Sequence, residues 1–299
     1  MSFALRLQQN AADIEQALDT LLSAIRLAGP GQPPERLIAA MRHGTLEGGK
    51  RLRPFLLRET AQMFGIASER SLAAAVTVEL IHCYSLIHDD LPAMDDDDIR
   101  RGRPTVHKAF DEATAILAGD ALLTLAFGHL AEHGAGGNAA LAARLVVELA
   151  AGAGTGGMVG GQMADIEGET SGLNETAIAR MQAMKTGALI RASVRMGALL
   201  GAADTDALGH LTAYAEAAGR AFQLADDILD LTSDAATMGK ATGKDAGRGK
   251  GTLVAMHGMA WAEAKLAEQV REAQALLAPY SERSIILAEA ARFIAGRKS

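Results

Sequence analysis

Residues 71–105 read SLAAAVTVELIHCYSLIHDDLPAMDDDDIRRGRPT. The stretch 71–91 is mostly apolar, which predicts a long helix buried on most sides. Its end carries six carboxylates within ten residues, Asp89, Asp90, Asp95, Asp96, Asp97 and Asp98, and then Arg100, Arg101 and Arg103. An acidic run is commonly a solvated loop. This one closes a buried helix, and packed carboxylates repel one another unless cations intervene. Oxygen-only ligands suit Mg2+, which is typically shared between carboxylates and phosphates. A calcium loop does not fit, because neither Asp89 nor Asp95 is followed by Gly at the sixth position and Glu at the twelfth. On a regular helix Asp89 and Asp95 point about 120° apart. They serve the same ions only if the helix deforms between them, and Pro92 supplies a reason.

Outward from this helix the 3.6-residue period continues. Ile14, Leu18, Leu21, Leu22 and Ile25 form one stripe over 11–28, and further helices are predicted near 113–132, 139–155, 175–200, 207–231, 259–277 and 284–296. Breaks fall at 29–34, 133–138, 168–174 and 233–251. No β-alternation, internal repeat or composition shift stands out, so the chain is read as one all-α domain over 1–299, with about ten helices. Aromatic residues are 4 % of the chain, leaving Leu, Ala, Met and Ile to fill the core. The glycines at 152, 154, 156, 157, 160 and 161 follow no strand, so they are read as close helix–helix contacts rather than a nucleotide loop.

The net charge of −7 argues against nucleic acid as a partner. Metal ions reverse the sign locally, so an anionic substrate stays open. The single cysteine, Cys83, forms no internal disulfide, in keeping with a reducing cytoplasm. The N-terminal segment is amphipathic, carries Asp13 and Glu15, and lacks the apolar core of a signal peptide. No apolar stretch is read as reaching the roughly 18 residues of a membrane span.

A second acidic group, FQLADDILD (222–230), places Gln223, Asp226, Asp227 and Asp230 on one helical face. Like charges at that spacing repel, so a balancing ion is again the natural remedy. Downstream, Lys240, Lys244, Arg248 and Lys250 lie on a Gly-rich stretch that suits a lid over an anion.

With GGKRLRP (48–54), GD (119–120), GGQMADI (160–166), KTG (185–187) and GKATGKD (239–245), these motifs resemble the trans-isoprenyl diphosphate synthases, most closely the bacterial-type farnesyl diphosphate synthases. The resemblance runs from about Gly44 to Thr252 and implies antiparallel helices around a deep central cavity, usually as a homodimer, with the two acidic motifs facing each other across its mouth. It implies that Asp89, Asp90 and Asp95, and opposite them Asp226, Asp227 and Asp230, hold Mg2+, three ions in all. It implies that Gly49, Lys50, Arg53, His82 and Arg101 bind isopentenyl diphosphate. Arg100, Lys185, Thr186, Gln223 and Lys240 become contacts to the allylic diphosphate. Arg100, Lys185 and Lys240 neutralise the departing diphosphate, while Lys185 and Thr186 stabilise the carbocation. In this family bulk four and five residues before the first Asp limits product length. Here those residues are Ser85 and Tyr84, and Tyr84 resembles makers of the C15 product. A C20 product, a terpene cyclase or head-to-head synthase, and a non-catalytic binding subunit are the alternatives, although no motif residue named above is lost.

Overall fold

The computed structural model describes residues 2–23, 27, 31–236 and 252–296. It divides into two compact units, Met1–Val146 and Val147–Ser299.

In the first unit α1 spans Phe3–Leu21, α2 Glu35–Thr45, α3 Leu52–Met63 and α4 Ser68–Asp89. After a two-stranded hairpin come α5, Val106–Ala109, and α6, Glu112–His133. Helix α1 buries Leu7, Asn10, Ile14, Leu18 and Leu21, one stripe at three- and four-residue spacing. Helix α4 packs on α6, α3, α2 and α1, and this explains its near-continuous apolar sequence. Asp111 caps α6 by accepting the Thr114 N–H at 2.7 Å. Arg51 and Glu79 form an ion pair at 2.7 Å with side chains 1 % and 3 % exposed, a charge pair inside the core.

In the second unit the chain runs through the end of α7 (Ala139–Ala153), then α8 (Met158–Ser171) and α9 (Glu175–Gln182). A π-helix, Ala183–Gly187, leads directly into α10 (Ala188–Leu200), followed by α11 (Thr205–Ala236). The unit closes with α12 (Leu253–His257), α13 (Met259–Leu276), a 3-10 turn (Ala278–Ser284) and α14 (Ile285–Ala295). Helix α11 packs against α13, α10, the π-helix and α14, and α8 packs against the π-helix. Tyr214, fully buried on α11, donates its hydroxyl to the Leu287 carbonyl of α14 at 2.8 Å.

Three features depart from the sequence expectation. Ile99–Arg100 and Arg103–Pro104 pair as a short antiparallel hairpin. Its two turn residues, Arg101 (φ +52°) and Gly102 (φ +76°), both take the left-handed region that a tight hairpin turn demands. Helices α2 and α3, the Gly-rich α8 and the short α5 and α12 were not among those predicted. Among the described residues, three helices also have the length and composition to cross a membrane, contrary to the reading that no apolar stretch is long enough. The best buried of these, Ser68–Asp89, has 67 % of its apolar window covered by the protein itself.

Candidate active site

The first acidic motif begins where α4 stops. The helix ends at Asp89, with Asp90 as its C-cap, and Pro92 lies in the turn beyond. The chain then doubles back. Asp95 donates its N–H to the Asp89 carbonyl at 2.7 Å, Asp96 to Leu91 at 3.1 Å and Asp97 to Asp90 at 3.2 Å. The deformation required by the 120° argument is therefore present, and it brings the backbones of Asp89 and Asp95 together. Both residues are half-buried.

Asp90 is buried and turned towards the hairpin. Arg100 Nε donates to both of its oxygens, at 2.8 and 3.0 Å, and Nη2 lies 2.6 Å from Oδ1. Burial raises the Asp90 pKa and the arginine only partly offsets it. For Arg100 burial works against the charge, but the Asp90 contact prevails and raises its pKa. Arg100 also approaches Asp97 at 3.7 Å.

A cationic pocket adjoins this turn. Burial, and then the guanidinium groups of Arg53, Arg101, Arg51 and Arg100, hold His82 well below the usual imidazole range. Gly48 and Gly49 make room for one of these arginines. A Cβ on Gly48 would lie 2.7 Å from Arg101 Cδ, and one on Gly49 2.8 Å from its Nη2. Lys50 is exposed on the same loop. Arg100 belongs to both settings, bonded to the acidic turn and close enough to His82 to depress its protonation.

One residue of this region was missed in the sequence. Among the described residues, Asp96, Asp98 and His107 bring candidate ligand atoms within 4.8 Å of one another. Thr105 Oγ1 donates to the Asp97 carbonyl at 2.8 Å, so His107 Nδ1, 3.1 Å away, is the donor to that oxygen. His107 Nε2 then keeps its lone pair, and it is buried without a hydrogen-bond partner. A nitrogen donor suits transition metals better than Mg2+. By donor chemistry the carboxylates at Asp89 and Asp95 are the better fit to Mg2+. The signal for His107 was its place two residues beyond Thr105, but only the fold returns it to the acidic turn.

Below Asp89, Tyr84 is buried and its ring meets the edge of His88 at 5.8 Å. Burial, assisted by Asp89, pushes its hydroxyl up to about 12. Ser85 Oγ donates to the His82 carbonyl at 2.9 Å and so adds little bulk of its own. His88 sits against α6, its Nε2 3.0 Å from the Ile116 carbonyl. Gly119 leaves room for this ring, since a Cβ there would stand 2.1 Å from that nitrogen and push the imidazole aside.

In the second unit Lys185 and Thr186 ride on the π-helix. Single-turn π segments recur at functional sites, where they aim side chains that a regular helix would misplace. Lys185 Nζ donates to Asp165 Oδ2 on α8 at 2.6 Å. A Cβ on Gly161 would stand 2.1 Å from the Lys185 amide nitrogen, so α8 lies against the π-helix backbone itself. Asp165, within the GGQMADI motif, had been given no role from sequence, and its partner lies 20 residues away.

On α11, Gln223 Nε2 donates to Asp227 Oδ1 at 2.9 Å and Gln182 Nε2 to Oδ2 at 3.0 Å. Asp227 is buried with an amide on each oxygen, while Asp226 is half-buried and Asp230 exposed. Lys240 and the basic stretch 239–250 lie outside the described residues.

The polyprenyl synthetase family pattern matches residues 34–284. The farnesyl diphosphate synthase of Escherichia coli (strain K12) is 44 % identical, the match covering 95 % of this chain and 94 % of that one. The farnesyl diphosphate synthase of Geobacillus stearothermophilus is 43 % identical over 90 % and 91 % of the two chains. Among solved structures, the apo form of a Zymomonas mobilis FPP/GFPP synthase has a TM-score of 0.86 at 38 % identity, covering 98 % of this chain and 99 % of that one. The helical architecture is that of the all-α isoprenoid synthases.

Proposed function

The chain belongs to the polyprenyl synthetase family, and from that premise we propose that it is a prenyltransferase joining isopentenyl diphosphate head to tail with dimethylallyl or geranyl diphosphate to give (2E,6E)-farnesyl diphosphate. The observation that carries the reading is the contact between a cation pocket and an acidic turn through Arg100. Two anions must bind side by side. One is held directly by cations, and the other through metal ions on carboxylates.

Lys50, Arg53, His82 and Arg101, with the backbone of Gly49, bind isopentenyl diphosphate in this reading. His82 is neutral at neutral pH, so it serves as a hydrogen-bonding group rather than a charge. Asp89 and Asp95, with Asp90, and on α11 Asp226, Asp227 and Asp230 would hold Mg2+, three ions in all. When bound, Mg2+ neutralises charge that grows on the leaving diphosphate.

The chain's own groups do the rest. Arg100, fixed by Asp90, and Lys185, fixed by Asp165, would each offer a preoriented cation to the allylic diphosphate, with Lys240 from the basic stretch 239–250. The allylic C–O bond breaks, and the double bond of isopentenyl diphosphate supplies the electrons for the new C–C bond. A proton then leaves to the released diphosphate. The Thr186 hydroxyl and the main-chain carbonyl of Lys185 would offer oxygen dipoles to the intermediate carbocation, with Gln223 a further contact to the allylic substrate, and water must be kept out while the cation lasts. Tyr84, beside Ser85, closes the tail channel at C15. A geranylgeranyl pyrophosphate synthase of Capsicum annuum is 39 % identical to this chain, so C20 is the second reading.

We further propose a cytoplasmic homodimer folded as one domain. Ile116 and Leu117 on α6 are 45 % and 57 % exposed, an apolar surface of the kind a subunit contact covers.

The test is product chromatography after incubation with Mg2+, isopentenyl diphosphate and either allylic substrate. A C15 product from both supports the reading, and failure to consume isopentenyl diphosphate rejects it.

A further inference from the structure

The loop that carries Lys50 is held in a shape its own sequence does not favour. Glu47 (φ +63°), Gly49 (φ +85°) and Arg51 (φ +49°) all lie in the left-handed region. For the two that are not glycine this conformation is sterically strained, so something outside the loop must hold it.

That restraint comes from α1. Glu15 Oε1 accepts the Glu47 N–H at 2.6 Å, and Glu15 Oε2 accepts Arg51 Nη2 at 2.6 Å. One carboxylate therefore ties both ends of the segment 47–51. The same Arg51 nitrogen donates to the Thr45 carbonyl at 2.7 Å, and the Asn10 side chain of α1 donates to the Arg51 carbonyl at 3.1 Å. Between the tied ends lie Lys50 and the Gly48–Gly49 shelf that seats Arg101.

We propose that Glu15 is a positioning residue for isopentenyl diphosphate: through Glu47 and Arg51 it sets the geometry of Lys50, Arg53 and Arg101. It lies on a helix outside residues 34–284, the part that matches the family. The inference rests on the reading of Lys50 and Arg53 as isopentenyl-diphosphate contacts. Loss of Glu15 leaves Arg51 paired with Glu79 at 2.7 Å, and the Glu15 side chain is 36 % exposed, so the core survives its removal.

Steady-state kinetics of the full chain, varying each substrate separately, tests this. Glu15→Ala removes both ties, one of them charge-assisted, and should raise KM for isopentenyl diphosphate about tenfold. KM for the allylic substrate and kcat should stay within about twofold of wild type, since a tie that sets only the isopentenyl-diphosphate loop leaves the allylic contacts alone. Glu15→Gln keeps an oxygen for the Glu47 N–H and should fall between the two. Arg6→Ala, which breaks an α1 anchor that does not touch the 47–51 loop (Arg6 to Glu59, 2.6 Å), should leave both KM values alone. An unchanged KM for isopentenyl diphosphate in Glu15→Ala, an equal rise for both substrates, or the same rise in Arg6→Ala overturns the proposal. Lys50→Ala separates the two levels. If Lys50→Ala leaves KM for isopentenyl diphosphate untouched, the reading of the loop fails and takes the inference with it. If it raises that KM while Glu15→Ala does not, only the inference fails.

Discussion

Gly161→Ala should damage catalysis more than stability. The added Cβ would meet Lys185 N at 2.1 Å, Lys185 Cα at 2.5 Å and the Met184 carbonyl carbon at 2.7 Å. All three are backbone atoms, so no flexible side chain can swing aside. Ordinary contact begins at 3.4 Å, so the π-helix must retreat about 1.3 Å (3.4 less 2.1). Overpacking of this kind costs about 1–3 kcal/mol, a drop of several degrees in melting temperature. Displacement by about 1 Å of groups that must be aimed costs on the order of 100-fold in turnover. Lys185 and Thr186 ride on the displaced segment. The assay is kcat with saturating substrates beside a thermal melt, with Gly209→Ala as control. Gly209 is exposed on α11 with nothing within 4 Å of its added Cβ. That control should gain up to about 1 kcal/mol of helix propensity and keep its rate. A Gly161→Ala protein turning over within twofold of wild type would refute the argument that the α8 contact sets the aim of Lys185.

Asp89→Ala and Asp226→Ala should each cut turnover by orders of magnitude while the circular-dichroism melt stays cooperative; a near-normal rate removes that residue from the ion site. Tyr84→Ala should lengthen the products, read by reversed-phase chromatography, and an unchanged C15 profile would discard Tyr84 as the channel floor. His82 imposes a pH dependence on stability. Its folded pKa lies well below the ordinary 6.5, so the unfolded chain takes the proton first as pH falls. Stability present above pH 6.5 is then lost below it, by up to about 1.4 kcal/mol per pH unit. Urea midpoints across that range should fall in wild type and stay flatter in His82→Gln, and parallel slopes in the two proteins would contradict the assignment.

The sequence by itself determined the helices whose period and end signals are local. The stretches 113–132, 139–155 and 259–277 match α6, α7 and α13 to within two residues at each end. It also determined the chemistry, because six carboxylates beside three arginines are unusual in any fold. Helices α2 and α3 escaped because each is short and carries arginines, and their helicity draws on burial against α4 and α6. Tertiary structure alone decided the partners. Asp90 meets Arg100, Lys185 meets Asp165, and Asp227, which shares a helical face with Gln223, takes Gln182 on its other oxygen. It also decided that Glu15, which resembled any charge on an amphipathic helix, reaches a loop more than 30 residues away. The 3.6-residue period records which face of a helix is buried. It holds no record of which distant charge completes a buried one, because that choice is made by electrostatics and close packing only after the elements have met.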